Sequence, residues 1–291
     1  MNTPIRLGIS TCPNDTFAFH AILEQKVDHR GLEFEIELLD IQQLNDRLFA
    51  GDFDVAKCSF HAALLLAEQM TVLPSGSALG FGVGPLLLSA HTGKHGPTTS
   101  PDAAPTPETP GMLTLCPGQQ TTATMLLKLF YPAASKLEQV VFSDIMPKLQ
   151  NATADFGVCI HEGRFTWQEQ GLALVEDLGT RWESETKAPL PLGGLVANKT
   201  LPSDVLRNVQ ATVRDSLLYA RTNPDRAIPT MRKYAQEFDD DVLMKHVDLY
   251  VNDWTVDLGE VGRNALDELN RRAVTAGLIA SSAPRLDILP G

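Results

Sequence analysis

The chain has 291 residues, 43% hydrophobic and 21% charged, which is enough for two cores of ordinary domain size. Its formal net charge of −12 disfavours partners such as nucleic acid or an anionic membrane surface, but leaves room for a small anion held by a few local cations. No basic start leads into an apolar run, and no segment reaches the length of a membrane span, so the sequence reads as cytoplasmic.

The pattern predicts strands at Leu7–Ser10, Leu32–Leu39 and Val55–Cys58, with helices at Asp15–Gln25 and Ile41–Ala50 between them. A buried helix, Ser59–Met70, follows. Asn14 or Asp15 is placed to cap the first helix and Ser59 to cap the last. Gly80-Phe81-Gly82-Val83-Gly84-Pro85 precedes a strand instead of opening a helix, so it reads as a permissive turn and not a dinucleotide fingerprint. Leu86–Ser89 is a crossing strand. Residues 91–110, rich in Pro and Thr, are expected to form an exposed, mobile excursion.

A second α/β unit follows, with strands at Met112–Cys116, Val140–Phe142 and Phe156–Ile160 and helices at Thr121–Tyr131 and Ile145–Gln150. Leu192–Ala197 reads as a returning strand. Four helices then fill Ser203–Arg221, Pro224–Tyr234, Asp239–Tyr250 and Leu258–Ala276, with Val205, Val209, Val213 and Leu217 at packing positions. Strand–helix alternation implies parallel sheets. The expected class is α/β, with lobes 1–88 plus 198–291 and 89–197. This is a two-lobed, periplasmic-binding-protein-like (type II) architecture with a central cleft and two crossover strands.

Candidate chemistry gathers at the carboxyl ends of strands, where open α/β sheets bind ligands. Ser10 to Thr16, containing Asn14 and Asp15, follows the first strand. Lys57, Cys58 and Ser59 end the third, and Lys57 and Ser59 project to the same face. Gly118-Gln119-Gln120-Thr121-Thr122 opens a helix, either as an anion site on its free N–H groups or as plain threonine capping. His161 ends an apolar strand and is followed by Glu162, Gly163 and Arg164. Imidazole is the side chain suited to proton transfer near neutral pH. Glu162 either orients His161 or pairs with Arg164, and Arg164 either touches a ligand or holds the turn. His20 and His61 read as local hydrogen-bonding histidines. Cys12, Cys58, Cys116 and Cys159 lack a C-x-x-C pair and read as free thiols, and no metal motif is present.

Taken together, Cys12-Pro13-Asn14-Asp15-Thr16-Phe17 with His20, Lys57-Cys58-Ser59, Gly80-x-Gly82-x-Gly84-Pro85, Gly118-x-x-Thr121-Thr122-Ala123 and His161-Glu162-Gly163-Arg164-Phe165-Thr166 resemble the 1,4-dihydroxy-6-naphthoate synthase family of the futalosine route to menaquinone. The resemblance implies a lyase that needs no cofactor and cleaves cyclic dehypoxanthinyl futalosine. It implies His161 as proton acceptor, with Lys57, Cys58, Ser59, Thr121 and Thr122 as substrate contacts. The substrate would be a small, anionic, carboxylate-bearing molecule. A non-catalytic solute-binding protein of the same fold and the sibling chorismate dehydratase are the alternatives.

Overall fold

The computed structural model describes residues 3–90, 105–161, 163–234 and 239–290. In chain order the elements are β1 (Ile5–Ser10), α1 (Pro13–Ala18), α2 (His20–Leu23), β2 (Phe34–Leu39), α3 (Ile41–Phe49), β3 (Val55–Ser59), α4 (Phe60–Leu65), β4 (Met70–Val72), β5 (Ala78–Gly80) and β6 (Leu86–Ser89). Then come β7 (Leu113–Cys116), α5 (Thr122–Phe130), β8 (Lys136–Gln139), α6 (Phe142–Gln150), β9 (Phe156–Cys159), α7 (Gly163–Thr166), β10 (Ala173–Asp177) and α8 (Leu178–Thr186). The chain finishes with β11 (Leu190–Asn198), α9 (Ser203–Thr222), α10 (Pro224–Tyr234), α11 (Asp240–Tyr250), α12 (Asp253–Val256), α13 (Gly259–Thr275) and β12 (Asp287–Ile288). Among the described residues no helix is long and apolar enough to cross a membrane.

Two units result. Unit 1 comprises Met1–Val83 with Ala188–Gly291, and unit 2 is Gly84–Lys187. Passage between them falls at 83/84 and 187/188, not at the 88/89 and 197/198 expected from sequence. The pairing gives the reason: β6 bonds along its whole length to β9 and β10, and β11 bonds along its length to β3, β4 and β5.

Unit 1 is built on a sheet of order β12-β4-β11-β3-β1-β2, with β5 also on β11. β1, β2 and β3 run parallel, and β11 is antiparallel to β3. Leu7, Ile9, Val55 and Leu195 from the sheet meet Val209, Val213 and Leu217 of α9 in one core, so the expected packing stripe does pack. A second cluster places Phe17 of α1 against Ala227 and Met231 of α10 and Leu243 and Val247 of α11.

Unit 2 has the order β10-β6-β9-β7-β8, with β7, β8 and β9 parallel. Ile145 and Leu149 of α6 press so closely on β9 that a Cβ on Gly157 would lie 2.4 Å from Ile145 Cγ2. The strand expected at 140–142 is instead β8, four residues earlier, and Phe142 opens α6.

The expected excursion at 91–110 lies outside the described residues up to 104. From 105 onward the chain is held: Pro107 is buried and its carbonyl accepts from Ser135 N at 2.9 Å, while Glu108 Oε1 accepts from Ala133 N at 3.1 Å.

Candidate active site

In unit 1 the parallel strands β1 and β3 are neighbours, so their carboxyl ends, Ser10 and Ser59, open at one edge of the sheet. Cys12 occupies the cap position of α1 and Pro13 its first turn, where a missing N–H costs nothing. No side chain caps this helix, which corrects the expectation for Asn14 and Asp15. Their polar groups are engaged elsewhere. Lys57 Nζ lies 2.7 Å from Asp15 Oδ1 and donates to the Gly76 carbonyl, also at 2.7 Å. Asn14 Nδ2 donates to the same Asp15 oxygen at 3.1 Å, and Asn14 Oδ1 lies 3.0 Å from His246 Nε2.

Lys57 is 4% exposed, Asp15 4%, Asn14 9% and His246 2%, so the chain of polar groups runs through the interior. An ammonium buried this deeply persists only when paired and hydrogen-bonded. It carries three donors, and two are spent on Asp15 and Gly76. The Gly76 carbonyl is set by backbone geometry that favours glycine: Gly76 has φ +95° and its N–H donates to Thr255 O at 2.8 Å.

Ser59 occupies the cap position of α4 without capping it through its side chain. Its hydroxyl accepts from Asn45 Nδ2 at 3.2 Å while its N–H donates to Asn45 Oδ1 at 3.1 Å. Asn45, on α3 and fully buried, thus clasps the end of β3. Cys58 alternates to the opposite face of the strand from Lys57 and Ser59. Its thiol is sealed, and burial pushes its pKa up to about 12.

In unit 2 the parallel strands β7 and β9 bring Gly118–Thr122 and His161 to one edge of the second sheet. Thr121 is the cap of α5: its hydroxyl accepts from Thr124 N at 3.2 Å. The hydroxyls of Thr121 and Thr124 lie 2.8 and 2.7 Å from the Gly118 carbonyl, and Gly118 N donates to Gln139 Oε1 at 3.1 Å. Thr122 is the first residue of the helix and is 3% exposed. One of the two threonines is therefore the cap and the other is not.

His161 follows β9 by two residues, is partly buried, and has φ +55°. A left-handed backbone at a residue with a Cβ costs of order 1 kcal/mol, and such residues cluster at functional sites. Its ring and that of Phe142 pack edge to face, with centroids 4.8 Å apart and planes at 72°. Its carbonyl accepts from Arg164 N at 3.2 Å, tying the turn to α7. Arg164 reaches Gly84 O at 2.5 Å and Asp177 Oδ2 at 2.6 Å, while Asp177 Oδ1 caps α8 through Gly179 N and Thr180 N. The Arg164 side chain thus ties α7 to Gly84 and to the cap of α8. Glu162 lies outside the described residues. No group of three or more His, Cys, Asp or Glu side chains is arranged to hold a metal ion among the described residues.

Sequence reasoning missed Asn45, Gly76, Asp177 and His246. Gly76 carried a signal, since a glycine between Ser75 and Ser77 marks a turn. The others sit in unremarkable helix or strand patterns.

The chain matches the family model described as menaquinone biosynthesis over residues 5–275. It is 37% identical over 278 residues to the 1,4-dihydroxy-6-naphthoate synthase of Thermus thermophilus, covering 96% of this chain and 97% of that protein. The enzyme of the same name from Streptomyces coelicolor is 33% identical over 285 residues, covering 96% of each. Among solved structures, an Archaeoglobus fulgidus protein superposes with a TM-score of 0.85 at 31% identity, covering 95% of this chain and 98% of that one. The periplasmic aliphatic sulphonate binding protein of Escherichia coli superposes with a TM-score of 0.61 at 13% identity, over 99% of this chain and 91% of that one. That likeness shows the fold alone, and the fold is periplasmic-binding-protein-like, as expected.

Proposed function

The chain belongs to the menaquinone-biosynthesis family, and on that footing we propose that it is a 1,4-dihydroxy-6-naphthoate synthase, a cytoplasmic lyase that converts cyclic dehypoxanthinyl futalosine to 1,4-dihydroxy-6-naphthoate and a sugar-derived fragment. The observation that carries the activity is similarity along the whole chain to two enzymes bearing that name.

His161 is the general base. It takes a proton from the carbocycle of the substrate, and the electrons released drive scission of the bond to the sugar-derived part. Formation of the aromatic naphthoate ring draws the step forward. A rigid turn at the end of β9, with Phe142 against the imidazole, supports that role by limiting where the ring can go.

Lys57 binds an anionic group of the substrate. The support is its third N–H: two donors are committed inside the protein, and the third is left to a ligand. Ser59 contacts the substrate beside it; Cys58, expected as a further contact, has its thiol sealed on the other face of β3 and is left out of that role. Asn14 and Asp15 serve this ammonium. Thr121 and Thr122 present the N–H groups at the start of α5 to a carboxylate.

The test is incubation of the purified protein with cyclic dehypoxanthinyl futalosine and, separately, with chorismate, followed by product identification by mass spectrometry. Release of 1,4-dihydroxy-6-naphthoate, lost in His161→Asn, is expected. Dehydration of chorismate alone assigns the sibling activity. Binding with no turnover of either compound assigns a solute-binding protein.

A further inference from the structure

Lys57 is held at one end of a buried chain of polar groups whose other end is His246, on α11, and we propose that His246 is a positioning residue for the ligand-binding ammonium of Lys57, acting through Asn14 and Asp15. The proposal rests on the reading of Lys57 given above.

The argument is one of direction. Asp15, paired with the ammonium at 2.7 Å, is a carboxylate and therefore only accepts hydrogen bonds. The Asn14 group facing Asp15 Oδ1 at 3.1 Å must then be its NH2. That leaves the Asn14 carbonyl facing His246 Nε2 at 3.0 Å, so Nε2 carries the proton and donates. Rotating the Asn14 amide by half a turn would set its oxygen against the carboxylate and its NH2 against the imidazole N–H. Both contacts would be repulsive. His246, donating to the Asn14 oxygen, thus supports the amide orientation in which Asn14 donates to Asp15 beside Lys57.

The consequence reaches Lys57 because both donors converge on one oxygen. Asp15 Oδ1 receives Lys57 Nζ and Asn14 Nδ2 together. When the amide is lost, a larger share of that oxygen's attraction falls on the ammonium, which shifts from the position set by Asp15 and Gly76 together. Its third N–H then points elsewhere.

Apolar contacts also dock α11. Leu243 and Val247 already seal the helix against Phe17 of α1, and the Tyr250 ring packs on the imidazole with centroids 4.6 Å apart. The ring packing is retained when a phenyl replaces the imidazole, while the polar link is not.

The test uses three replacements, with kinetics on cyclic dehypoxanthinyl futalosine and thermal melts. His246→Phe keeps a ring against Tyr250 and removes the donor. It is expected to raise KM about tenfold with kcat within about twofold, the signature of lost uniform binding. His246→Gln sets an amide N–H where Nε2 stood, and KM is expected to return to within about threefold of wild type. His246→Asn is too short to reach and is expected to behave like Phe. With Asn14→Ala already present, His246→Phe is expected to add less than about twofold to KM. An unchanged KM in a folded His246→Phe protein, or effects of Asn14→Ala and His246→Phe that multiply in full, overturns the proposal. Should the Phe variant fail to fold, equal KM values for the Gln and Asn variants overturn it. A wild-type protein that does not turn over the substrate overturns the reading of the site, and this proposal with it. A KM insensitive to His246 in an active protein overturns this proposal alone.

Discussion

Asp15 and Lys57, 42 residues apart, meet through a 2.7 Å ion pair in which each side chain is only 5% exposed. Breaking such a pair from one side strands a charge in the interior. Lys57→Met is therefore expected to cost ~3–5 kcal/mol of stability. The double replacement Lys57→Met with Asp15→Leu is expected to cost less than Lys57→Met alone. Urea melts of the single and double variants measure the difference. A double variant less stable than both singles would show that the pair does not behave as buried and coupled.

His161 holds a left-handed backbone that glycine adopts freely. His161→Gly is expected to leave stability unchanged or raised by up to ~1 kcal/mol while turnover falls at least ~100-fold, as for loss of a general base. Paired urea melts and turnover assays check it. A destabilised but active variant would remove both the strain and the catalytic assignment.

Arg164 joins the His161 turn to Gly84 and to the cap of α8 through Asp177, and its side chain is 17% exposed. Arg164→Met is expected to lower stability by ~2–3 kcal/mol, because one replacement takes the charged donor from both Asp177 Oδ2 and the Gly84 carbonyl. Arg164→Met and Asp177→Asn are expected to combine with less than additive effect. Calorimetry of the four proteins gives the coupling directly.

Burial pushes the thiols of Cys58 and Cys159 up to about 12 and that of Cys116 up to about 11, and burial likewise raises the Tyr131 phenol. Their folded values exceed their unfolded ones. The stability they contribute is therefore complete below the ordinary thiol value near 9 and is lost as pH rises toward the folded values. Each thiol adds a slope of up to ~1.4 kcal/mol per pH unit. Stability measured between pH 8 and 11 is expected to fall steeply above 9, and Cys159→Ala is expected to flatten the decline. At pH 8 only Cys12, which is partly exposed, should react promptly with an aromatic disulfide reagent.

Much of this was legible in the residues. The apolar run before His161 announced β9, and the lysine set into an apolar strand announced an ammonium at the sheet end. Two threonines beside Gly118 announced a capped helix start. What stayed hidden depends on distance or on the absence of pattern. β8 is a mostly exposed edge strand of Lys136, Leu137, Glu138 and Gln139, paired only to β7, so it shows no buried face. The apolar residues after it, Val140 to Phe142, drew the strand assignment instead. β4 and β5 have three residues each, too few for a period. His246 sits on a helix whose apolar positions read as packing, and its partner Asn14 is 232 residues away. The C-terminal helices, which resembled filler, enclose α1 and so help build the surroundings of Lys57.

The placement of β11 bears on how the molecule is made. This strand lies between β3 and β4 in the sheet of unit 1, yet it is translated only after unit 2. A nascent chain that has reached Val83 has β3 and β4 but not the strand that joins them. Gly84–Lys187, by contrast, is continuous and has its own core. Synthesis therefore delivers the inserted unit as a finished domain while the enclosing sheet waits, open at its centre, for residues 190–198. Closing that gap pairs Leu195 with Lys57 across a long span of chain, a non-local contact of the kind that sets slow folding rates. Until then the β3 edge is bare, and the step that shields it also encloses the ammonium on which ligand binding depends.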